Sequence, residues 1–318
     1  MLEFVKRAVS YIASLLLLAV ASIPAPVRDV ERGNIKEKAP QEDKVFATRR
    51  EALANGGGWY VTMNEDFGGD DLPDTWIRSP HYKRNTEWWC DEMVRVEDGM
   101  VKIDCVRDDS HVCGKGICPS EGVFTSGIET RGVFEQAFGY YEVRVLIPNA
   151  DGLWSAFWFQ SSNMGMVGNQ GRDGSEIDVF ESAFWQDKQK VGHCIHWDGY
   201  ADNHQSHGTT VDTGIDLYEG WHTYGLLWTP EKYVFFVDGE PTWETRARGV
   251  SRVPEFMRLT IESRPPGPGP YGTVLGEMIN TPDNPATFCI DSVKVYQHTC
   301  FEPRIRANED FIQAPWIK

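Results

Sequence analysis

The stretch Arg172-Asp173-Gly174-Ser175-Glu176-Ile177-Asp178-Val179-Phe180-Glu181-Ser182-Ala183-Phe184-Trp185 sets three acids inside an apolar, aromatic run. The run reads as a β-strand. Alternate side chains of a strand share a face, so Glu176 and Asp178 point the same way. Regular alternation sends Glu181 to the opposite face. A single β-bulge before Glu181 returns it to the side of the other two. The plainer alternative is a solvent-facing strand, but Ile177, Val179 and Phe180 leave the segment no wholly polar face.

The neighbouring sequence is built the same way. Residues 153–159 are almost wholly apolar, as a strand covered on both sides is. Residues 140–147 alternate, with Tyr141, Val143, Val145 and Ile147 on one face. Further strands are expected at 59–63, at 100–104 after the turn Glu97-Asp98-Gly99, and at 288–296. Two more strands meet at Asp238-Gly239, a strong hairpin signal. Helical periodicity is scarce, and Gly, Pro, Asn and Asp separate the runs. The fold class is therefore all-β, a sandwich or barrel rather than α/β. No internal repeat is visible.

Composition narrows the partners. The 318 residues carry a formal charge of −16, which disfavours nucleic acid, anionic lipid and, without a locally basic cleft, sulfated or uronic polymers. The 12 Trp, 11 Tyr and 16 Phe suit an uncharged ligand with apolar faces, such as a sugar ring. Lys6 and Arg7 precede an apolar run from Ala8 to about Ile23, with Ala19 and Ala21 placed for cleavage. Residues 1–21 are expected to be a signal peptide or an anchor, and the protein to be secreted or held at the cell surface. Residues 22–56 read as a charged linker, partly helical; 57–299 as the folded domain; and 300–318 as a tail. The seven cysteines suggest one or two disulfides of open connectivity, with Cys113 and Cys118 placed to close a small loop. Their spacing does not supply the close pairs of a zinc site.

Two carboxylates about one sugar bond apart, roughly 5–5.5 Å, equip a retaining glycosidase. Aromatic platforms for the sugar are sought next. Trp154 and Trp158 share parity on one strand, and Trp197 and Tyr200 follow His193 and His196. Trp154 is the preferred platform, with Trp197 next. His193, His196, His204 and His207 read as polar fillers, and His222 as structural.

Together these segments resemble glycoside hydrolase family 16, over roughly Tyr60 to Gln297. Glu176-Ile177-Asp178-Val179-Phe180-Glu181 matches the family's E-x-D-x-x-E signature in its bulged form. Gly152-Leu153-Trp154-Ser155-Ala156-Phe157-Trp158-Phe159 is similar to the strand that precedes that signature in laminarinase-type members. Trp221-His222-Thr223-Tyr224, Leu227-Trp228-Thr229-Pro230 and Phe236-Val237-Asp238-Gly239 are similar to the downstream stretch, and 290–296 to the closing strand. The resemblance implies a β-jelly-roll sandwich of two antiparallel sheets with an open cleft for an extended polysaccharide. It implies Glu176 as nucleophile, Glu181 as general acid/base and Asp178 as the acid that orients Glu176.

Glu129 and Arg131 resemble sugar-binding residues of lichenase-type relatives, across a one-residue gap. Asp291 lies where members often bind structural Ca²⁺ on the convex face, and an ordinary salt bridge is the equal alternative. Its parity with Cys289, Val293 and Val295 puts it on a partly buried face. The chemistry itself is expected to need no cofactor, and the chain to act as a monomer. The expected activity is endo-cleavage of β-1,3- or mixed β-1,3/1,4-glucan. Agarase- or carrageenase-type hydrolysis is the alternative, and a non-catalytic glucan-binding module the third reading. Glu262-Ser263-Arg264-Pro265-Pro266 departs from the segment many glucanases carry, which leaves sugar specificity open.

Overall fold

The alternating segments are strands, and the two sheets they form bury their apolar parities against each other. The computed structural model describes residues 29–30, 32–247 and 249–301. The leader or anchor expected at 1–21 and all but the start of the 300–318 tail lie outside the described residues. Among the described residues no helix is long and apolar enough to cross a membrane.

One sheet has seven strands in the order Gln205–Asp212, Lys190–Trp197, Glu176–Ser182, Leu153–Gln160, Phe256–Ser263, Gly127–Glu129 and Ile77–Arg78. The other has twelve. Its centre runs Tyr233–Val237, His222–Trp228, Gly139–Leu146, Ala286–His298 and Met100–Asp108. The architecture is the expected jelly-roll sandwich. Phe157, Phe159, Ile177, Phe180 and Leu259 of the seven-stranded sheet meet Tyr141, Val143, Tyr224, Val293 and Val295 of the other in one core. At its centre Phe180 stacks on Tyr224, ring centroids 4.0 Å apart. Leu153–Gln160 lies mid-sheet between two antiparallel neighbours, which accounts for its nearly unbroken apolar sequence.

The bulge stands where the acids require it. Phe157 pairs with Phe180 but Trp158 pairs with Asp178, so Val179 is the extra residue. On the other side Asp178 faces Cys194 and Glu181 faces Gly192, across the same slip. Val179 and Phe180 consequently both point into the core. A bulge leaves backbone groups outside the ladder, and a buried carbonyl without a partner is costly. Here His193 supplies the partner: its Nδ1 lies 2.7 Å from the Val179 carbonyl oxygen and its Nε2 3.0 Å from the Thr242 hydroxyl. Burial lowers the His193 pKa to about 4, so the ring stays neutral at physiological pH. The filler role expected of His193 is thus a specific one.

Two expectations need correction. The charged segment read as a linker is packed on the sandwich: Ile35, Ala39 and Val45 cover an apolar cluster of Tyr140, Leu227, Val234, Phe236 and Tyr296 on the outer side of the twelve-stranded sheet. Its helical parts are a 3-10 turn at Glu42–Lys44 and the turn-and-a-half of α-helix Arg49–Ala54, started by a Thr48/Glu51 capping box. The parity argument for Asp291 fails as well. A second bulge, between the pairs Arg144–Ser292 and Val145–Ile290, leaves Asp291 out of register. Val293 and Val295 stay in the core while Asp291 turns outward with Cys289. Cys113 and Cys118 do close their loop as a disulfide.

Replacing His193 by Phe keeps the ring volume but strands the Val179 carbonyl. The expected cost is about 1–3 kcal/mol, read as a lower urea midpoint at unchanged m-value. An unchanged midpoint shows that the bulge does not depend on this histidine.

Candidate active site

The outward parity of the seven-stranded sheet carries the polar chemistry. Glu176, Asp178 and Glu181 line one cavity together with Trp154, Ala156 and Trp158 from the preceding strand and Thr260 and Glu262 from the next. The bulge is what puts the third acid there. Across the ladder Glu176 faces Gln160 and His196, Asp178 faces Trp158 and Cys194, and Glu181 faces Ala156 and Gly192. Asp178 and Glu181 are buried at 5% and 8% exposure, so water screens their charges poorly.

Each acid has its own partners. Tyr200 donates its hydroxyl proton to Glu176 Oε2, and Gln160 holds the tyrosine oxygen at 2.6 Å. His196 Nε2 stands 3.2 Å from Asp178 Oδ2 and 3.9 Å from Glu176 Oε1, with Nδ1 2.9 Å from His204 Nε2. Tyr271 donates to Glu181 Oε2 at 2.7 Å. That bond leaves a proton on Glu181 to the other oxygen, free for a leaving group.

Burial and the nearby charge of Asp178 raise Glu176 to about 7, against the opposing pull of His196 and Tyr200. Asp178 and Glu181 are also pushed well up, first by burial, then by Glu262 and Asp178 respectively. Carboxyls this close take up protons as a set. Glu176 receives the most relief from its surroundings, so it is the member suited to ionise first while Glu181 keeps its proton. Desolvation outweighs the hydrogen bond from Tyr200 and the charge of His196, so Glu176 ends above the usual carboxylate range.

Tyr271 was not singled out in the sequence, and it sits far from the signature strand. Its backbone is left-handed, with φ of 56°, a conformation that costs a non-glycine residue roughly 1–3 kcal/mol. The ring lies directly over Gly192, where any Cβ would collide with it. Glycine at this one position lets the tyrosine reach Glu181.

Of the expected sugar-binding residues, Trp154 and Trp158 line the cavity. Arg264 covers the Trp154 ring at 4.5 Å and Arg258 the Trp158 ring at 4.2 Å. Trp197 does not. It follows His196, which faces the acids, so alternation turns Trp197 inward, and it is a core residue at 4% exposure. The cavity takes Tyr200, His196 and His204 instead, which corrects the filler reading of those two histidines.

Glu129 and Arg131 also stay outside the cavity. Glu129 is fully buried, 3.0 Å from Arg131 and 3.1 Å from Arg258, and so supports the arginine beneath Trp158. Arg84 and Arg264, from outside the signature, reach the cavity and flank Glu262 at 2.6 and 3.7 Å. Only strand parity at His196 offered a signal for any of these. At Asp291 the salt-bridge alternative is formed: Arg144 lies 3.0 Å from its carboxylate and stacks on Trp221. A cation there would compete with the Arg144 guanidinium for the one carboxylate. Asp178, Cys194 and His196 bring three ligand-type atoms within 4.8 Å at the cavity floor, but burial and the three acids hold the Cys194 thiol protonated.

A family model for "Glycosyl hydrolases family 16" matches residues 84–262, more than half of the chain. The chain is 27% identical over 196 residues to a glucan endo-1,3-beta-glucosidase of Cryptopygus antarcticus, covering 58% of this chain and 68% of that protein. It is 33% identical over 121 residues to the endo-1,3-1,4-beta-glycanase ExsH of Rhizobium meliloti (strain 1021), covering 36% of this chain and 23% of that protein. Among solved structures, porphyranase B from Zobellia galactanivorans has a TM-score of 0.60 at 18% identity, over 83% of this chain and 97% of that one. That last likeness is one of fold.

A carboxyl-labelled sample followed by NMR should show Glu176 titrating near pH 7. Tyr200→Phe removes a hydrogen bond to the ionised form, so the titration should move to higher pH, by roughly half to one unit for a partly exposed donor. A shift to lower pH, or none, contradicts the assigned donor.

Proposed function

The chain belongs to glycosyl hydrolase family 16, and we propose that it is a retaining endo-β-glucanase cutting β-1,3- or mixed β-1,3/1,4-glucan. The observation that carries this reading is the Val179 bulge, which turns Glu176, Asp178 and Glu181 into one cavity beside Trp154 and Trp158. Glu176 attacks the anomeric carbon as a carboxylate. Glu181 gives its proton to the departing glycosidic oxygen, and the glycosyl group is left esterified to Glu176. Glu181, now ionised, takes a proton from water, which attacks the same carbon and restores the original anomeric configuration. Asp178 keeps Glu176 aligned and shares its proton. The two glucanase relatives support the substrate class, and a polymer-cutting role accords with the leader-like residues 1–21, on which we place the protein outside the cytoplasm.

Galactan hydrolysis is the second reading, favoured by the fold likeness to porphyranase B and by two arginines at the cavity. Against it, Glu262 lies between Arg84 and Arg264, so little positive charge is left over for a sulfated sugar. Reducing-end release from laminarin, barley glucan, agarose and carrageenan, assayed side by side, decides between the two. Release from none of them favours a binding module.

Glu176→Ala and Glu181→Ala should each lower turnover by about 100- to 10,000-fold without loss of fold. Azide should restore both, giving the α-glycosyl azide with Glu176→Ala and the β-glycosyl azide with Glu181→Ala. The same anomer from both variants, or near-normal turnover in either, refutes the assignment. Asp178→Asn should be milder than loss of the nucleophile.

A further inference from the structure

The chain holds a second cluster of reactive side chains, outside the acid cavity. His81, Cys90, Cys113 and Cys118 bring one nitrogen and three sulfur atoms within 4.8 Å of one another. Cys90 Sγ lies 3.1 Å from Cys118 Sγ, and Cys113 Sγ lies 3.9 Å from His81 Nδ1. A disulfide between Cys113 and Cys118 uses only two of the four groups. It leaves unexplained a third sulfur and an imidazole nitrogen aimed at the same point. We propose that, with the disulfide reduced, His81 Nδ1 and the three thiolates form a tetrahedral site for a structural Zn²⁺ ion.

The chemistry fits the ion. Three sulfurs and one imidazole form a closed donor set for structural zinc. Only Cys113 and Cys118 are close in sequence; folding brings His81 and Cys90 to them, so the spacing alone shows no zinc site. The surroundings match too. A metal-bound histidine usually donates its other ring N–H to a carboxylate, which fixes the tautomer. His81 Nε2 stands 3.0 Å from Asp91 Oδ1, and Lys115 holds the other Asp91 oxygen at 2.8 Å. The Asp91 backbone N–H donates to Nε2 at 2.7 Å, so metal binding requires the ring to change tautomer: Nε2 gives up this acceptor role, takes the proton and donates it to the Asp91 carboxylate, which frees Nδ1 for the ion. The Cys118 backbone N–H points at Cys113 Sγ, 3.4 Å away, and would stabilise a thiolate there.

Electrons and protons balance simply. The newly made chain carries the thiols before any oxidation outside the cytoplasm; in the oxidised protein a dithiol must first reduce the Cys113–Cys118 bond, becoming a disulfide itself and yielding two thiols. The three thiols then release their protons to solvent as Zn²⁺ binds. The site would join two parts of the sandwich edge. His81 and Cys90 flank the hairpin Tyr82–Arg84 and Glu87–Trp89, and the other two cysteines lie on the loop leading into Gly122–Thr125. That hairpin presents Arg84 to the acid cavity, so the metal would fix one wall of it.

The test uses the full chain reduced with a phosphine, which leaves as its oxide, then given Zn²⁺ or Co²⁺ and freed of excess metal. We expect about one ion per chain, and visible cobalt bands of a tetrahedral thiolate site. Cys90→Ser should abolish those bands, Cys289→Ser should keep them, and Asp91→Asn should weaken affinity roughly 10–100-fold. Should Cys90→Ser fail to fold, the wild type decides: Zn²⁺ should protect Cys90, Cys113 and Cys118 from alkylation, mapped by peptide mass. Equal alkylation with and without Zn²⁺, less than a tenth of an ion bound, or cobalt bands that persist in Cys90→Ser would overturn the proposal.

Discussion

One extra residue in one strand decides what this sheet can do. Without the Val179 bulge, alternation along Glu176–Ser182 would turn Glu181 into the core, opposite Ser155, and Phe180 outward. With it, two consecutive apolar side chains enter the core and three acids share the outer face. The bulge is not free, because it breaks the ladder in the middle of a buried strand. The Val179 carbonyl that it displaces is met by a buried neutral imidazole, whose other nitrogen reaches Thr242 on the opposite sheet. The site's geometry is thus tied to the packing of both layers, through a residue that never faces the cavity.

Concentrating carboxyls on one face brings an electrostatic problem that the neighbouring strands answer with arginines. Phe256–Ser263 carries Arg258 and Glu262 on the outward parity. Arg258 neutralises the buried Glu129, while Glu262 holds Arg84 and Arg264. These pairs set rings and guanidiniums in layers: Arg258 against Trp158, Arg264 against Trp154. The cavity-lining aromatics are thereby held in place, which lowers the entropy lost when a ligand binds. Charges so matched leave the three central acids without a full counter-ion. Their proton affinities rise together, and that is the state general acid catalysis needs.

The sequence carried the fold and the central acids because both rest on local periodicity. Strand alternation at Tyr141, Val143 and Val145, the Asp238-Gly239 turn and the acid spacing each need only a few neighbouring residues to be read. What it missed depends on register or on distance. Trp197 was misjudged because its parity has to be counted from His196, whose orientation follows from pairing with Glu176. The parity assigned to Asp291 failed because a bulge with no sequence signature lies at that residue, while the salt bridge weighed there is formed. The segment 32–46 looks solvated by composition, but a few irregularly spaced apolar residues and the pairs Glu37–Lys232 and Glu42–Lys294 fasten it to the outer sheet.

Tyr271 marks the limit of local reading most clearly. Nothing in its own segment, crowded with Pro265, Pro266, Pro268 and Pro270, announces contact with an acid ninety residues earlier. The signal is divided between two places: a tyrosine forced into a left-handed backbone, and a glycine at 192 within a strand whose other positions are bulky. A glycine inside a strand weakens it and commonly marks the close approach of another group. Here the cost falls on the strand next to the acids and on the tyrosine backbone, and what it secures is the orientation of a single proton on Glu181. Strain and lost packing concentrated around one hydrogen bond are what a folded core alone would not retain. Their presence argues that the protonation of Glu181, more than the stability of the sandwich, has shaped this corner of the molecule.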